Sequence, residues 1–287
     1  MTICIAIRCD CGKNGDVIPK VIMAADRMIT SDYLEINFEQ PVPKLTAIAK
    51  NCVVATAGDA LSPSDLFDLA KQKIKMSKHT HQISEIVTIL KESYVELRNK
   101  KIEDNILKPV GIPSIDFFYQ NQQGIHPEII LKTFDAIKKF DFGVQLLVGG
   151  VDNSGSHIFG LANPGVSFNL DSLGYDAIGS GENHAILTFI GANYHSKTSF
   201  EEALYLTYKA KRISEKAPGI GTNYTDLWVI EPNEIYEVAD EENGLGKLKK
   251  LYNTEIKQTK IDFNQLTEIV KTNIKDRKET EVDKSYS

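Results

Sequence analysis

A threonine stands at position 2, behind Met1 and at the head of the run Thr2-Ile3-Cys4-Ile5-Ala6-Ile7. Removal of Met1 would leave one residue carrying both a free α-amine and a hydroxyl. An α-amine titrates near about 7.7–8.0 in peptides, so a usable fraction is neutral at physiological pH. Directly or through a water, that amine can take the proton as the hydroxyl attacks a carbonyl. Met-Thr starts are common. The chemistry therefore depends on what the rest of the chain brings to Thr2.

Other reactive side chains offer less. The four cysteines are Cys4, Cys9, Cys11 and Cys52. Cys4 and Cys52 lie in apolar strand patterns and read as buried thiols. Cys9-Asp10-Cys11 is too short for a C-x-x-C motif, and no second pair completes a zinc site, so no metal is expected. His79 and His81 read as a solvated loop. No GxxxxGK[ST] phosphate loop is present and no cofactor is implied.

The 287 residues carry a net charge of −6, with 42% hydrophobic and 25% charged side chains. That balance supports a sizeable core and does not point to nucleic acid or a membrane surface as partner. No apolar run approaches the roughly 18–20 residues needed to span a bilayer. The first residues lack the basic and apolar regions of a secretory signal, so the cytoplasm is the expected location.

The elements that would position Thr2 follow from periodicity. Ile3–Ile7 and Val21–Ala25 are apolar on both faces, as doubly covered strands are. Gly12, Asn14 and Gly15 mark the turn between them. A polar loop is expected from Asp26 to Pro41 and Pro43. Lys44–Ile48 and Cys52–Thr56 read as strands joined at Lys50-Asn51, the second stopping at Ala57-Gly58-Asp59. Ser62-Pro63-Ser64-Asp65 starts a helix, and a second is expected from about Gln82 into the Arg98 region. Residues 102–143 hold three prolines and the run Phe117-Phe118-Tyr119. They read as an inserted lobe with a helix near Glu128–Lys139, its aromatics packed on the body or on a neighbour.

Strands then resume at Gln145–Val151, His157–Ala162, Val166–Leu170 and Tyr175–Ile178. Helices follow Gly179-Ser180-Gly181 and span Ser199–Lys216. Leu227–Glu231 and Glu234–Val238 form a hairpin. Strands buried on both faces demand two sheets covered by helices on both outer sides. The expectation is therefore α+β, a single domain over residues 1–242 with an insertion at about 102–143. A charged extension, 243–287, follows, with a helix over Phe263–Lys275 and a disordered end.

Val21-Ile22-Met23-Ala24-Ala25-Asp26-Arg27, Pro43-Lys44-Leu45, Ala55-Thr56-Ala57-Gly58, Ile178-Gly179-Ser180-Gly181 and Gly219-Ile220-Gly221 occur in order behind Thr2. This series resembles the proteasome β-subunit family of N-terminal nucleophile (Ntn) hydrolases, including its bacterial relatives, over roughly 2–100 and 144–240. The resemblance implies a four-layer αββα sandwich. It implies Thr2 as nucleophile, Lys44 as the cation that helps ionise its hydroxyl, and Asp26 as the carboxylate holding Lys44. Gly58 becomes the source of an oxyanion-binding N–H. Ser180 becomes a hydrogen-bond partner near the amine, a role compatible with capping the next helix. Thr46, Thr56, Ala57 and Ala60 would line the specificity pocket, which should favour small or medium uncharged side chains.

One element departs. The family carries an aspartate and a serine before the late glycines, where this chain has Glu215 and Pro218. Glutamate reaches one methylene further, and proline has neither hydroxyl nor N–H. Asp226 is a nearby alternative carboxylate, although its place at a strand start suggests a structural role. The implied activity is threonine-type hydrolysis of peptide or unfolded protein substrates within a ring or helical oligomer, which a separate ATP-dependent unfoldase could feed. The competing readings are a non-catalytic structural subunit and a small-molecule amidase or acylase of the Ntn superfamily. Fold alone does not separate them.

Overall fold

The computed structural model describes residues 2–11, 18–31, 36–59, 62–77, 82–239, 242 and 244–258. The turn at 12–15, His79, His81 and the expected helix over Phe263–Lys275 lie outside them. The chain divides into two units, Met1–Ala239 and Asp240–Ser287. The second contains the described helix Leu245–Gln258.

β1 (Cys4–Cys11) and β2 (Ile18–Ala25) form an antiparallel pair with Cys4 opposite Ala25. Ile3–Ile7 and Val21–Ala25 are buried without exception, as covering on both faces requires. The expected polar loop holds instead a two-stranded ribbon, β3 (Met28–Ser31) and β4 (Ile36–Glu39). Four-residue strands give too short a pattern for periodicity to register. β5 (Leu45–Ala49) and β6 (Cys52–Gly58) open a second sheet, followed by α1 (Ser62–Met76) and α2 (Ile83–Ile102).

The helical path does not end near Arg98. It continues through a π turn at Glu103–Leu107 and a 3-10 turn at Lys108–Val110, and stops at Gly111 with φ 80°. α3 (Ile115–Gln120) and α4 (Pro127–Lys139) follow. Ile102, Leu107, Ile112 and Phe118 are buried together in a local core, with Ile115 and Ile130 packed against it. Segment 102–143 thus has its own apolar centre. Phe117, Tyr119, Ile129, Leu131 and Phe134 remain exposed.

Next come β7 (Val144–Asp152), β8 (Gly155–Ala162), β9 (Val166–Asn169), β10 (Tyr175–Ile178), α5 (Glu182–Gly191), α6 (Phe200–Ser214), β11 (Asp226–Ile230) and β12 (Ile235–Glu237). One sheet has the order β10-β1-β2-β11-β12 and the other β5-β6-β7-β8-β9. Their facing sides share a core of Cys4, Ala6, Val21, Met23, Val53, Ala55 and Leu147. Strand alternation sends Ile3, Ile5 and Ile7 to the opposite face, where α5 and α6 pack on β1. The outer side of the second sheet packs Val54, Leu146 and Val148 against Leu66, Ile86, Leu90 and Tyr94 of α1 and α2. The architecture is mixed α+β. No helix among the described residues is long and apolar enough to cross a membrane.

A polar tie fixes the β7–β8 hairpin to the start of α2. His157 places Nδ1 2.7 Å from Asp171 Oδ2 and Nε2 3.2 Å from Asp152 Oδ1. Asp152 Oδ2 accepts the Ile83 N–H at 2.8 Å. The Asp171 hydrogen bond holds the His157 pKa above its ordinary 6.5, against the opposing pull of burial. Burial pushes Asp171 up, but the His157 hydrogen bond and the Ile158 N–H bring it below the ordinary value.

A raised imidazole pKa contributes stability fully below the unfolded value. That contribution is lost as pH rises through the folded value. The wild-type unfolding temperature should therefore fall relative to His157→Gln between about pH 6 and about pH 8. Calorimetry at both pH values checks this, and parallel pH dependence in the two proteins would remove His157 from the account.

Candidate active site

Thr2 precedes β1, Asp26 directly follows β2, Lys44 precedes β5 and Gly58 ends β6. The β1–β2 register brings Ile3 beside Asp26: Ile3 N–H donates to Asp26 Oδ1 at 3.1 Å, and Asp26 N–H donates to Ile3 O at 3.2 Å. From the other sheet Lys44 reaches across. Its Nζ donates to Asp26 Oδ1 at 2.7 Å and to Thr2 Oγ1. Thr2, Asp26 and Lys44 are 6%, 0% and 8% exposed.

Asp26 Oδ2 accepts the N–H groups of Met28 at 3.2 Å and Gly221 at 2.9 Å. Four N–H donors therefore converge on one buried carboxylate, which fills its acceptor positions. The ion pair's contribution to net stability is small or negative, because desolvation offsets the attraction. Its consequence is geometric: the ammonium has one place to sit, against the Thr2 hydroxyl.

The Gly179-Ser180-Gly181 turn wraps the Thr2 backbone. Ser180 Oγ accepts the Thr2 N–H at 3.2 Å and donates to Thr2 O at 3.4 Å, and Gly181 N–H donates to the same oxygen at 3.2 Å. Gly179 has φ 97°, and a Cβ there would lie 2.4 Å from Thr2 O. The cap position of α5 is Gly181, with no side-chain cap. Ser180 therefore turns to Thr2 rather than capping the helix as the sequence suggested. Gly58 has φ 104°, and an added Cβ would stand 1.9 Å from Gly143 O. Both needs restrict this position to glycine.

Glu215 is placed differently from the sequence expectation. Its carboxylate accepts from Lys211 Nζ at 2.6 Å and from Arg212 Nη1 at 2.8 Å. The neighbouring Ser214 supports the turn instead, its Oγ donating to Gly181 O at 3.1 Å. A side chain one residue earlier on the helix faces the Gly-Ser-Gly turn, and sequence alignment on the late glycines could not reveal that. Asp226 is taken by Arg27, whose Nε lies 3.0 Å and Nη2 2.6 Å from Oδ1, with the guanidinium over the Tyr224 ring.

A cleft of about 320 Å³ opens over Thr2 and Lys44. Thr46, Thr56, Ala57 and Gly58 line it, and Ala60 lies outside the described residues. Sequence reasoning missed the opposite walls: Met28 and Ile29 of the β3 ribbon, Val42, and Pro63 and Phe67 of α1. It also missed Asp59, an acidic residue among linings expected to be uncharged. Below the cleft, Cys4 Sγ lies 3.3 Å from Thr56 O, and burial pushes its thiol up to about 12, so no thiolate competes with Thr2. Among the described residues no group of three His, Cys, Asp or Glu could hold a metal ion.

Comparison with known proteins finds similarity over part of the chain. The proteasome-subunit family model matches residues 119–230. Proteasome subunit beta 2 of Staphylothermus marinus is 34% identical over 109 residues, covering 38% of this chain and 50% of the relative. Proteasome subunit beta 2 of Thermofilum pendens is 33% identical over 91 residues, 32% of this chain and 43% of the relative. Proteasome subunit beta of Picrophilus torridus is 30% identical over 114 residues, 40% and 52%. Over these stretches the chain is similar to proteasome β subunits. It spans about half the length of the curated relatives it matches.

Lys44→Met strands a fully buried carboxylate and should destabilise the protein by about 3 kcal/mol, with Asp26→Asn in the same chain restoring part of the loss. Denaturant titration of the two single variants and the double variant checks this. Equal stability of Lys44→Met and wild type would show that the pair is not desolvated.

Proposed function

We propose that the protein is a threonine-type peptidase or amidase that uses Thr2, exposed by removal of Met1, as its nucleophile. The observation that carries this reading is the placement of Lys44 Nζ between Thr2 Oγ1 and Asp26 Oδ1 at the floor of the cleft. While Met1 remains, the Thr2 nitrogen is an amide and cannot accept a proton. Once free, it lies beside Ser180 Oγ, which can orient its lone pair. Lys44 stabilises charge on Oγ1 as the hydroxyl proton passes to the amine and the oxygen bonds to the substrate carbonyl. The amine then returns that proton to the leaving nitrogen, and water releases the acyl group by the reverse proton path.

The developing oxyanion falls to Gly58. Asp59 N–H donates to Gly143 O at 2.8 Å. Ladder alternation then turns the Gly58 N–H to the other edge of β6, beyond the Leu45 start of β5. That N–H is left for a substrate oxygen, where one such donor supports roughly 10²–10³-fold in rate.

On this reading the domain is a four-layer αββα sandwich acting on peptides or unfolded protein in the cytoplasm. Assembly into a ring or helical oligomer is supported by the exposed apolar side chains of α3 and α4, Phe117, Tyr119, Ile129, Leu131 and Phe134.

Mass spectrometry should find Thr2 as the first residue of the active protein, with a β-lactone or epoxyketone adduct on it. Thr2→Ala should keep the wild-type unfolding profile and lose at least about 10³-fold in peptide turnover. Full activity in protein that uniformly retains Met1, or in Thr2→Ala, would refute the nucleophile.

A further inference from the structure

Lys211 is a fully buried lysine that none of the steps above uses. It projects from the last turn of α6 and spends its three N–H donors on Glu215 Oε1 at 2.6 Å, Tyr224 O at 2.8 Å and Gly221 O at 3.1 Å. Burial draws its pKa down, and the Glu215 charge partly restores it. Burying an ammonium is costly even when it is paired, and an apolar side chain of similar length would fill the same space. What an apolar side chain cannot do is hold two carbonyl oxygens of one loop.

That loop is the one that touches Asp26. Gly221 N–H donates to Asp26 Oδ2 at 2.9 Å, and Asn223 N–H donates to Glu39 Oε1 at 3.1 Å. Gly221 is wedged between the two carboxylates. A Cβ there would lie 2.4 Å from Glu39 Oε1 and 3.2 Å from Asp26 Oδ2. The acidic groups engage the loop's N–H groups from one side, and Lys211 engages its carbonyls from within the body. Each end of the clamp fixes a different pole of neighbouring peptide dipoles.

We propose that Lys211 is a positioning residue for the Thr2 site: it pins the 221–224 loop so that Gly221 N–H holds Asp26, which in turn aims Lys44 at the Thr2 hydroxyl. This assignment rests on the reading of Thr2 as nucleophile for its effect on rate, but not for its effect on the loop. It also gives Glu215 a role in this chain, as the counter-charge that lets Lys211 stay buried.

The test uses Lys211→Met in the full chain, with hydrolysis kinetics, thermal unfolding and NMR amide exchange of glycine-labelled protein. The expected result is a folded variant in which Gly221 N–H exchange accelerates at least about tenfold. Its kcat should fall at least about tenfold with KM within about twofold, because misplacing a reacting group by about an ångström already costs on that scale. Glu215→Gln, which removes the Lys211 counter-charge but not the lysine itself, should accelerate Gly221 exchange less than Lys211→Met does; acceleration equal to or greater than that of Lys211→Met would count against Lys211 as the group that pins the loop.

Unchanged Gly221 exchange in Lys211→Met would overturn the proposal whatever the kinetics. Faster exchange with unchanged kcat would reduce Lys211 to a purely structural tie and overturn it too. If Lys211→Met does not fold, Lys211→Gln carries the same readouts and the same criteria. Should the wild type show no Thr2-dependent hydrolysis, the failure belongs to the nucleophile reading, and Gly221 exchange alone still decides whether Lys211 pins the loop.

Discussion

The rest of the site depends on one buried ion pair that bridges two sheets. Asp26 directly follows β2 of one sheet and Lys44 directly precedes β5 of the other; Asp26 is fully buried and Lys44 nearly so. Separating the sheets would leave an uncompensated charge in a low-dielectric interior, a far larger penalty than the pair's modest net worth when intact. Sheet packing and site geometry are thus the same constraint. The small facing residues Ala6, Ala25, Ala55 and Ala57 keep the sheets close enough for the lysine to reach across.

Around that pair the protein arranges shells of backbone N–H donors rather than further charges. Ile3, Met28 and Gly221 N–H groups surround Asp26, while the Gly181 N–H, joined by the Ser180 hydroxyl, holds the Thr2 carbonyl. Backbone donors are fixed by strand and turn geometry and cost little entropy to order, so the constellation is set by the fold itself. The positive φ at Gly58 and Gly179 belongs to this arrangement, because a side chain at either would collide with a backbone oxygen.

Segment 102–143 follows a different logic. Helix α2 passes through a π turn and returns as α3 and α4 around its own centre at Leu107, Ile112 and Phe118. The helix-to-helix ring contact of Phe118 with Phe134 at 5.0 Å closes that centre. Its outer face keeps Leu131 and Tyr119 in solvent, a distribution suited to a further contact.

Sequence alone determined the strands Ile3–Ile7 and Val21–Ala25, because complete burial on two faces writes an unbroken apolar run. Thr2, Asp26, Lys44, Gly58 and Ser180 were marked by the resemblance of their ordered motifs to the proteasome β-subunit family, with Asp26 and Lys44 flanking apolar strand runs. The tertiary structure decided what no local pattern encodes. It showed a β3–β4 ribbon too short to carry a period, a helix continuing past Arg98 through a π turn, and Asp59 facing the cleft. It also decided which residue on the last turn of α6 meets the Gly-Ser-Gly turn. Ser214 does, while Glu215 turns to Lys211, because adjacent helical positions point about 100° apart and only packing fixes the rotation of the helix. Ser180 and Asp226 make the same point: their chemistry was legible in the sequence, but their partners Thr2 and Arg27 stand 178 and 199 residues away along the chain.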